Sequence, residues 1–350
     1  MKLHYAGAPG DGYGWGVCNR NLIREFCAMS LAEPSALEFS WGNSIPRDVD
    51  VAFIPLADHD FNPASPVRGK VNLAYSFFES PLGPNAAANA AKYDTVFVGS
   101  TWCKERCAER GIHNTAVLIQ GVDGEIFAPQ PPRQPDGQFR IFSGGKFEYR
   151  KGQDLVIAAF AEFAKTHPEA HLVCAWFNPW WQMIAPAVEQ SGLIVPTIMR
   201  GSYEELFADL LEANGIPRDR FTILPRLSQR DLAREMANTD CGLFPNRCEG
   251  GTNLVLMEYA ATGRPVIANV ATGHADIDSL IDCPIEVLSV YEENGWAVQK
   301  VDWIVQEMQN AFHDRSTLSG KVIPTWSAAA EKVMDTARKF LYQSAHVRHD

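Results

Sequence analysis

Two lysines frame a short turn in the sequence GGKFEYRKG, which spans residues 144–152. The turn directly follows Phe139–Ser143, an apolar run of strand length. Lysine amines that reach into a cleft neutralise phosphate charge and stabilise a departing diphosphate. Lys146 and Lys151 are therefore candidate catalytic groups. Taken alone, they could equally be surface lysines that flank a helix.

A second polar loop follows the apolar run Cys241–Pro245 and carries Gly250 and Gly251, which would let the backbone approach a ligand closely. A helix is predicted to follow, from about Thr252 to Thr262. The amides at a helix N-terminus form an anion site that suits a diphosphate. The amides that we predict there belong to Thr252, Asn253 and Leu254.

Two glutamates accompany this second loop. Glu249 lies on the loop itself, and Glu258 lies within the helix, where its carboxylate could accept hydrogen bonds from ribose hydroxyls. A glutamate in a helix is more often simply solvated. The position of Glu258 after a glycine loop, and before the Gly263 that ends the helix, favours the binding role.

These motifs lie among strand-length apolar runs that alternate with helix-length segments. The predicted strands of the first half are Lys2–Ala6, Val51–Pro55, Val71–Tyr75, Thr95–Gly99 and Ala116–Gln120. Those of the second half are Phe139–Ser143, His171–Trp176, Phe221–Leu224, Cys241–Pro245, Pro265–Asn269 and Ile285–Ser289. Such alternation predicts βαβ units, and hence parallel sheets with helices on both faces.

The proline-rich segment Ala128–Gly137 separates the two series and cannot continue a helix or a central strand. The sequence thus predicts an α/β protein with a domain over residues 1–130, a domain over residues 138–322 and a terminal helical segment over residues 323–350. Ligands of doubly wound sheets bind at the carboxyl ends of the strands. The natural site of a two-domain protein is the cleft between the domains.

A third motif, GYGWG at residues 12–16, follows the first predicted strand. Because the motif follows a strand, Gly14 and Gly16 are candidates for a phosphate-binding loop, and Trp15 is a candidate for stacking on a sugar. The alternative is a flexible turn, because a short glycine run is a weak signal. Elsewhere, the triplet at residues 58–60 is interpreted as a polar loop, and His274 as either a cleft residue or a structural histidine.

Composition limits the classes of function. The chain has 350 residues and a net charge of -11, and it shows no basic run, so we expect no nucleic-acid partner. No apolar stretch reaches the roughly 20 residues of a membrane helix, and the first residues lack the apolar region of a signal peptide. The eight scattered cysteines form no zinc motif. We therefore expect reduced thiols, no metal and a cytoplasmic location.

Taken together, the motifs resemble retaining GT-B glycosyltransferases of family GT4. The segment GKFEYRKG is similar to that family's G-R-L-x-x-E-K-G pattern, with Lys146 at the usual arginine. The segment EGGTNLVLMEYAATGRPVIA resembles the family's paired glutamates and the strand that follows them. Similar stretches, including QGVDGEIFAP and the terminal helix with Trp326, extend the resemblance over nearly the whole chain.

The resemblance implies two Rossmann-like domains facing across a cleft, with the last helix crossing back onto the first domain. It implies a nucleotide diphosphate sugar as co-substrate, most simply a UDP- or GDP-sugar, with no cofactor and an unnamed glycan, lipid-linked or small-molecule acceptor. Lys146 and Lys151 would hold the diphosphate, Glu258 the ribose and Glu249 the sugar hydroxyls. The amides of Gly251, Thr252, Asn253 and Leu254 would bind phosphate or sugar, and Gly14 and Gly16 would lie beside the donor.

Two departures from the family pattern affect these roles. Eight residues rather than seven separate Glu249 from Glu258, so the loop must accommodate an additional residue. Many relatives have a histidine after the strand equivalent to Val71–Tyr75, where this chain reads YSFFES. Glu79 is then the candidate for contacting the transferred sugar, since some relatives carry a glutamate there.

We expect hexose transfer with retention, in which the acceptor attacks from the face that the diphosphate leaves. No clear protein nucleophile is present, which favours this front-face route over a double displacement. Two other functions remain open. A sugar-nucleotide epimerase of GT-B architecture would need acid and base groups around the sugar C2, and a non-catalytic binding protein would bind nucleotide without turnover.

Overall fold

The fold is taken from a computed structural model, which describes residues 1–43, 46–197, 201–290, 294–314 and 321–346. By contacts between residues the chain divides into two units. Unit 1 consists of Met1–Asp123, Gly250–Leu254 and Pro324–Asp350. Unit 2 consists of Gly124–Glu249 and Val255–Ile323.

Unit 1 is built on a largely parallel sheet. Its strands are β1 (Lys2–Tyr5), β2 (Glu38–Trp41), β3 (Val51–Ala57), β4 (Asn62–Pro63), β5 (Val71–Ser76), β6 (Thr95–Val98) and β7 (Thr115–Val117). The order is β2-β1-β3-β5-β6-β7, with the short β4 antiparallel to β3. Strands β3 and β5 are almost wholly buried, as expected for central strands covered on both faces.

Helices connect these strands and cover the sheet. They are α1 (Gly14–Ala32), α2 (Ala86–Ala90) and α3 (Thr101–Glu109), together with the last helix of the chain, α10 (Trp326–His346). One apolar cluster unites α1 with α10, where Leu22 and Phe26 share a core with Trp326, Ala330 and Val333. The segment before α10 is also held, since Val122 N donates to Pro324 O at 2.9 Å.

Unit 2 is built on a wholly parallel sheet with the order β10-β9-β8-β11-β12-β13. Its strands are β8 (Phe139–Gly145), β9 (Ala170–Trp176), β10 (Phe221–Ile223), β11 (Cys241–Phe244), β12 (Val266–Asn269) and β13 (Cys283–Ile285). The direction of winding reverses between β8 and β11. In doubly wound sheets such a switch point opens a crevice at the carboxyl ends of the strands.

The helices of unit 2 are α4 (Gln153–Phe163), α5 (Ile184–Ser191), α6 (Tyr203–Ala213), α7 (Gln229–Ala237), α8 (Leu254–Ala261) and α9 (Val301–His313). Helix α4 packs Ile157 and Phe160 into the core, and α9 adds Ile304 and Met308. Burial of these side chains stabilises the unit by roughly 1.5–3 kcal/mol each relative to exposure. A small antiparallel pair, β14 (Ser289–Val290) and β15 (Ala297–Val298), completes it.

The predicted fold class is confirmed, because both units are doubly wound parallel sheets covered by helices. Two predictions of detail were wrong, and one strand was missed. Strand β13 ends at Ile285, so the predicted strand Ile285–Ser289 is absent as such. The edge strand β2 was missed, since its pattern of exposed and half-buried residues lacks an apolar run. Helix α8 begins at Leu254 rather than at Thr252.

In the ranges that the structure describes, every helix is too short or too polar to cross a lipid bilayer.

Candidate functional site

The two motifs that carry charged residues meet at the switch point of unit 2. The segment from Lys146 to Lys151 follows β8, and the segment from Asn246 to Glu249 follows β11, which is paired with β8 in the sheet. Their carboxyl ends therefore lie at the same edge. Main-chain bonds tie the segments together, because Arg247 N donates to Arg150 O at 2.7 Å.

The segment after β8 forms a short turn of 3₁₀ helix, Tyr149–Lys151, with a chain of ion pairs along it. Lys146 Nζ lies 2.8 Å from Glu148 Oε1, and Arg150 Nε lies 2.8 Å from Glu148 Oε2. Lys146 Nζ also lies 5.0 Å from the centre of the Trp180 ring. The Lys146 amine is thus held at the rim of the turn, with 26% of its side chain exposed.

Glu249 is the centre of the charge cluster. Its Oε1 lies 2.5 Å from Lys151 Nζ and also accepts from Asn246 Nδ2, and its Oε2 lies 3.2 Å from Arg150 Nη1. Burial raises the pKa of Glu249, but the charges of Lys151 and Arg150 outweigh burial and hold this pKa at about 2. Glu249 is therefore ionised at neutral pH, with both carboxylate oxygens engaged.

The cluster carries an excess of positive charge. Lys146, Arg150 and Lys151 give three cations against the two carboxylates of Glu148 and Glu249, which leaves one positive charge. Burial lowers the pKa of Lys151, and the Glu249 carboxylate opposes that shift. Charges this close in a partly buried setting act more strongly than they would in water. The arrangement can attract an anionic group such as a diphosphate.

A buried ion pair lies next to the charge cluster and stabilises the loop after β11. Arg247 Nη1 and Nη2 lie 2.8 and 2.7 Å from the two carboxylate oxygens of Asp154, and both side chains are almost fully buried. Arg247 also donates to Tyr149 O at 2.6 Å and lies over the Tyr149 ring. The pair therefore fixes the loop after β11 against both α4 and the 3₁₀ turn.

Gly152 shows how closely the two segments pack. Its φ of 74° lies in the left-handed region, and a Cβ there would meet Pro245 O at 2.3 Å. Both constraints exclude other residues. The glycine after Lys151 is therefore required by the packing of the turn on the end of β11.

His274 is fully buried beside Glu249. Its Nδ1 lies 3.2 Å from Asn269 O, which can only accept a hydrogen bond, so Nδ1 carries the proton. Burial lowers the pKa of His274 to about 4, against the opposing effect of Glu249. The ring is neutral at neutral pH. The sequence left His274 open between a cleft residue and a structural one, and the structure buries it where the charges of Glu249 and Lys151 act on its ring.

The free energy of unfolding is expected to fall as pH drops from about 6.5 towards 4. In this range His274 is protonated in the unfolded chain but still neutral in the folded chain. Replacing His274 by Asn removes this titration. Urea unfolding at pH 7 and pH 4.5 measures the effect. The wild type should lose more stability between the two pH values than His274→Asn does, and equal losses would contradict the burial of a neutral ring.

Glu258 lies on α8 and is 7% exposed, with Gln229 Nε2 at 3.4 Å from its Oε1. Helix α8 runs without interruption from Leu254 to Ala261, so the additional residue between the two glutamates lies in the loop before it. Asn253 has a φ of 59° there. Thr252 and Asn253 are thus loop residues, which corrects their prediction as helical; of the three predicted residues, only Leu254 begins the helix.

The two glycines of this loop make close contacts within unit 1. A Cβ on Gly250 would meet Phe78 O at 2.2 Å, and one on Gly251 would meet Gln120 Oε1 at 2.9 Å. Gly250 O also accepts from Ser100 Oγ at 2.9 Å. The small size of both residues is therefore used for packing inside the unit, whatever ligand the loop binds.

The motif GYGWG is not a loop as predicted, because α1 begins at Gly14 after the extended Tyr13. Gly16 packs on the preceding loop, where a Cβ would meet Gly10 Cα at 2.8 Å, whereas a Cβ on Gly14 would meet open space. The ring of Trp15 stacks on Phe77 with centroids 3.9 Å apart. One face of Trp15 is thus already covered, and its stacking on an acceptor stays a prediction.

Glu79 follows β5 and is half-buried near the Cys103 thiol, whose pKa burial raises above the ordinary range. Its contact with a sugar stays a prediction. The triplet at residues 58–60 is a structured turn, in which Asp58 Oδ1 accepts from Asp60 N at 2.9 Å and Asp60 Oδ1 from Asn85 N at 2.8 Å. These bonds agree with the interpretation as a polar loop.

Lys146, Lys151 and Glu249 are thus brought together within unit 2. Arg150 was missed, although it pairs with both glutamates of the cluster, because its position in GKFEYRKG looks like an ordinary surface arginine. Thr272, which contacts the main chain of Glu249, was also missed. The signal that could have found both is their nearness to motif positions, since Arg150 is adjacent to Lys151 and Thr272 to Gly273-His274.

Comparison with known families gives one match in the same region of the chain. The family model described as "Glycosyl transferases group 1" matches residues 125–278, which include every member of the charge cluster. The match covers less than half of the chain. A search of curated proteins finds no match.

Solved structures match over the full length of the chain, at low sequence identity. Sucrose-phosphate synthase from Thermosynechococcus elongatus is 16% identical, with a TM-score of 0.67 over 98% of this chain and 100% of that one. AviGT4, a glycosyltransferase involved in avilamycin A biosynthesis, is 16% identical, with a TM-score of 0.61 over 98% of each chain. Anabaena HepE in complex with UDP and glucose is 12% identical, with a TM-score of 0.56 over 100% of each.

These likenesses show that the two parallel-sheet α/β domains have the GT-B fold. The solved structures show the fold alone, and support for glycosyl transfer as the activity comes from the family match over residues 125–278.

Proposed function

We propose that the chain transfers a hexose from a nucleotide diphosphate sugar to a hydroxyl acceptor, with retention and without a metal ion. The observation that carries this proposal is the net positive cluster of Lys146, Arg150 and Lys151 around Glu249 at the switch point of unit 2. This is where doubly wound sheets bind nucleotides, and where a departing diphosphate needs positive charge.

In the proposed reaction the bond between the sugar C1 and the diphosphate oxygen breaks first. Lys146 and Lys151 stabilise the negative charge that develops on the leaving diphosphate, together with main-chain amides at the start of α8. Positive charge develops on the sugar ring. The acceptor hydroxyl attacks C1 from the same face, and its proton passes to the departing phosphate oxygen.

The state of Glu249 supports this front-face route over a covalent intermediate. Its carboxylate has a pKa of about 2, and its oxygens are engaged by Lys151, Arg150 and Asn246. Such a group is a weak nucleophile, because its basicity is low and most of its lone-pair sites are already engaged. We assign it instead to holding the two cations and to accepting a hydrogen bond from the donor sugar, for which a carboxylate has a further lone-pair site.

Glu258 is proposed to bind the ribose. It is a nearly buried carboxylate on the helix that follows the glycine loop, and the nucleoside half of a donor whose diphosphate lies near Leu254 would be within its reach. A UDP- or GDP-sugar is the proposed donor. The protein of known structure with UDP and glucose bound shares this fold, which is compatible with a UDP-sugar.

Isothermal titration of the full chain with UDP, GDP, ADP and dTDP, in EDTA and again in magnesium, tests the donor site. One nucleotide should bind in EDTA, and Lys146→Ala should weaken it by about 10- to 100-fold, since a hydrogen bond to a charged group is worth about 1.5–3 kcal/mol. Lys165→Ala is the matched control, because Lys165 is an exposed lysine in the turn after α4 and pairs with Glu162. Its affinity should equal that of the wild type.

Three outcomes would contradict parts of the proposal. No binding by any nucleotide would overturn the donor assignment, and binding only in magnesium would overturn metal independence. If Lys146→Ala and Lys165→Ala weaken nucleotide binding equally, the effect comes from the lower net charge of the protein and not from a contact of Lys146. Proton NMR of the turnover products separates the enzyme classes, because transfer or hydrolysis with retention releases the donor's own anomer first, whereas an epimerase inverts C2.

A further inference from the structure

The turn after β12 contains a threonine in an unfavourable backbone conformation. Thr272 has a φ of 51°, in the left-handed region. Four other non-glycine residues of the described ranges lie there, two aspartates, an asparagine and a phenylalanine, so Thr272 is the β-branched one. A β-branched residue at positive φ is a genuine outlier that surrounding contacts must compensate, and such residues concentrate at functional sites.

Two hydrogen bonds at this turn reach the main chain of Glu249. Thr272 Oγ1 accepts from Glu249 N at 3.1 Å, and Gly273 N donates to Glu249 O at 2.9 Å. Two consecutive residues thus satisfy both main-chain groups of Glu249. Because Glu249 is only 4% exposed, water is poorly placed to replace either bond.

The end of β12 also binds the loop just before Glu249. Asn269, which is fully buried, donates from Nδ2 to Asn246 O at 2.6 Å, and His274 Nδ1 donates to Asn269 O at 3.2 Å. The loop after β11 is therefore bound at Asn246 and again at Glu249. At the second of these points, the Thr272 hydroxyl is the side-chain contact and Gly273 N is the main-chain contact.

We propose that Thr272 is a positioning residue, whose hydroxyl fixes the backbone of Glu249 so that the Glu249 carboxylate holds Lys151 and Arg150 in place for the diphosphate. This inference rests on the proposed function for its ligand. The Glu249 carboxylate reaches Lys151 Nζ at 2.5 Å and Arg150 Nη1 at 3.2 Å, and contacts this short are sensitive to small shifts of the backbone.

The pKa of Lys151 tests this positioning role, because it should not change if Thr272 only stabilises the fold. Three charged groups act on the Lys151 amine: Glu249 from the loop after β11, and Arg150 and Glu148 from its own turn. His274, from the turn after β12, is neutral where a lysine titrates. Glu249 is the strongest of those that keep the amine protonated. Loosening Glu249 should therefore lower the pKa of Lys151 further.

Three variants separate the hydroxyl from the backbone. Thr272→Val keeps the shape and loses the hydroxyl, Thr272→Ser keeps the hydroxyl, and Thr272→Gly loses the hydroxyl while suiting the left-handed conformation. The probe is inorganic pyrophosphate, whose affinity is measured by titration calorimetry. We expect Thr272→Val and Thr272→Gly to weaken it by about 3- to 10-fold, the effect of one lost hydrogen bond, and Thr272→Ser to match the wild type.

Carbon NMR of protein labelled at the lysine Cε gives the second measurement, with the Lys151 signal identified by its absence in Lys151→Arg. The titration of Lys151 should move to lower pH in Thr272→Val and Thr272→Gly, but not in Thr272→Ser. If Thr272→Val fails to fold, Thr272→Gly still supplies a variant without the hydroxyl, whose backbone is relieved.

The outcomes distinguish this inference from the proposed function. Unchanged affinity and unchanged Lys151 titration in Thr272→Gly and Thr272→Val would overturn the role of Thr272 and leave the function standing. A wild type that binds neither pyrophosphate nor any nucleotide would overturn the function, while the Lys151 titration would still decide whether Thr272 positions Glu249.

Discussion

Replacing Lys151 by Ala is expected to lower the rate of donor cleavage by about 10²–10³-fold, the loss typical of removing one group that stabilises developing negative charge. Lys151 lies in the interior of the cluster, 2.5 Å from Glu249, rather than at its rim. Its removal takes the cluster from one excess positive charge to none. A diphosphate would then meet Glu249 without its principal counter-charge.

The measurement is the initial rate of nucleoside diphosphate release from whichever donor sugar binds. Lys151→Arg keeps the charge and should retain more activity than Lys151→Ala, although the larger guanidinium fits the buried position less well. Arg150 and Asn246 still hold Glu249 in the alanine variant, so its thermal unfolding should remain cooperative. A rate within threefold of the wild type in a folded Lys151→Ala would show that Lys151 is not part of the chemistry.

Replacing Asp154 by Ala is expected to lower the free energy of unfolding by about 3–5 kcal/mol, because it leaves the Arg247 guanidinium buried without its counter-charge. The two side chains are 3% and 6% exposed, and the contact is bidentate. Urea denaturation followed by tryptophan fluorescence measures the loss, since Trp176 lies in the core of the same unit.

Two controls test that reasoning. Glu162→Ala breaks the exposed ion pair with Lys165 and should lower the free energy of unfolding by no more than about 1 kcal/mol. The double variant Asp154→Leu with Arg247→Met removes both charges together, and should be more stable than Asp154→Ala because no charge is left unpaired. A loss from Asp154→Ala as small as that from Glu162→Ala would mean that the Arg247 charge finds water or another partner.

The sequence predicted the two parallel sheets and the edge at which the candidate site lies. Strands β8 and β11 are short apolar runs, and the polar motifs follow them directly. Both signals are local, because a buried parallel strand must be apolar along its length and a binding loop must follow its carboxyl end. Local signals of this kind survive in a single sequence.

The partners of the charged residues could not be predicted in the same way. Arg150 and Glu249 are 99 residues apart in the chain, and Thr272 lies 23 residues after Glu249. No spacing rule connects positions on separate loops. Their meeting depends on the pairing of β8, β11 and β12 in the sheet, which brings the loops to one edge only after the fold has formed.

Local backbone conformation was the other source of error. The sequence gives no sign that Asn253 adopts positive φ, which delays the start of α8, because asparagine is compatible with both loop and helix. The glycines of GYGWG predicted a loop, yet α1 begins at Gly14. Gly16 has no side chain because it packs closely on Gly10. Glycine permits a turn but also permits close contact between backbones.

The joining of α10 to α1 has a consequence for how the protein is made. Leu22 and Phe26 of α1 leave the ribosome long before Trp326, Ala330 and Val333, with which they share a core. Phe26 can pack on Tyr5 and Phe53 before α10 is made, but the core stays incomplete until then. Apolar surface left exposed in a partly folded chain is open to aggregation and to chaperones. We therefore expect unit 2 to be able to fold before unit 1 is complete, because α10 is made after the last residue of unit 2.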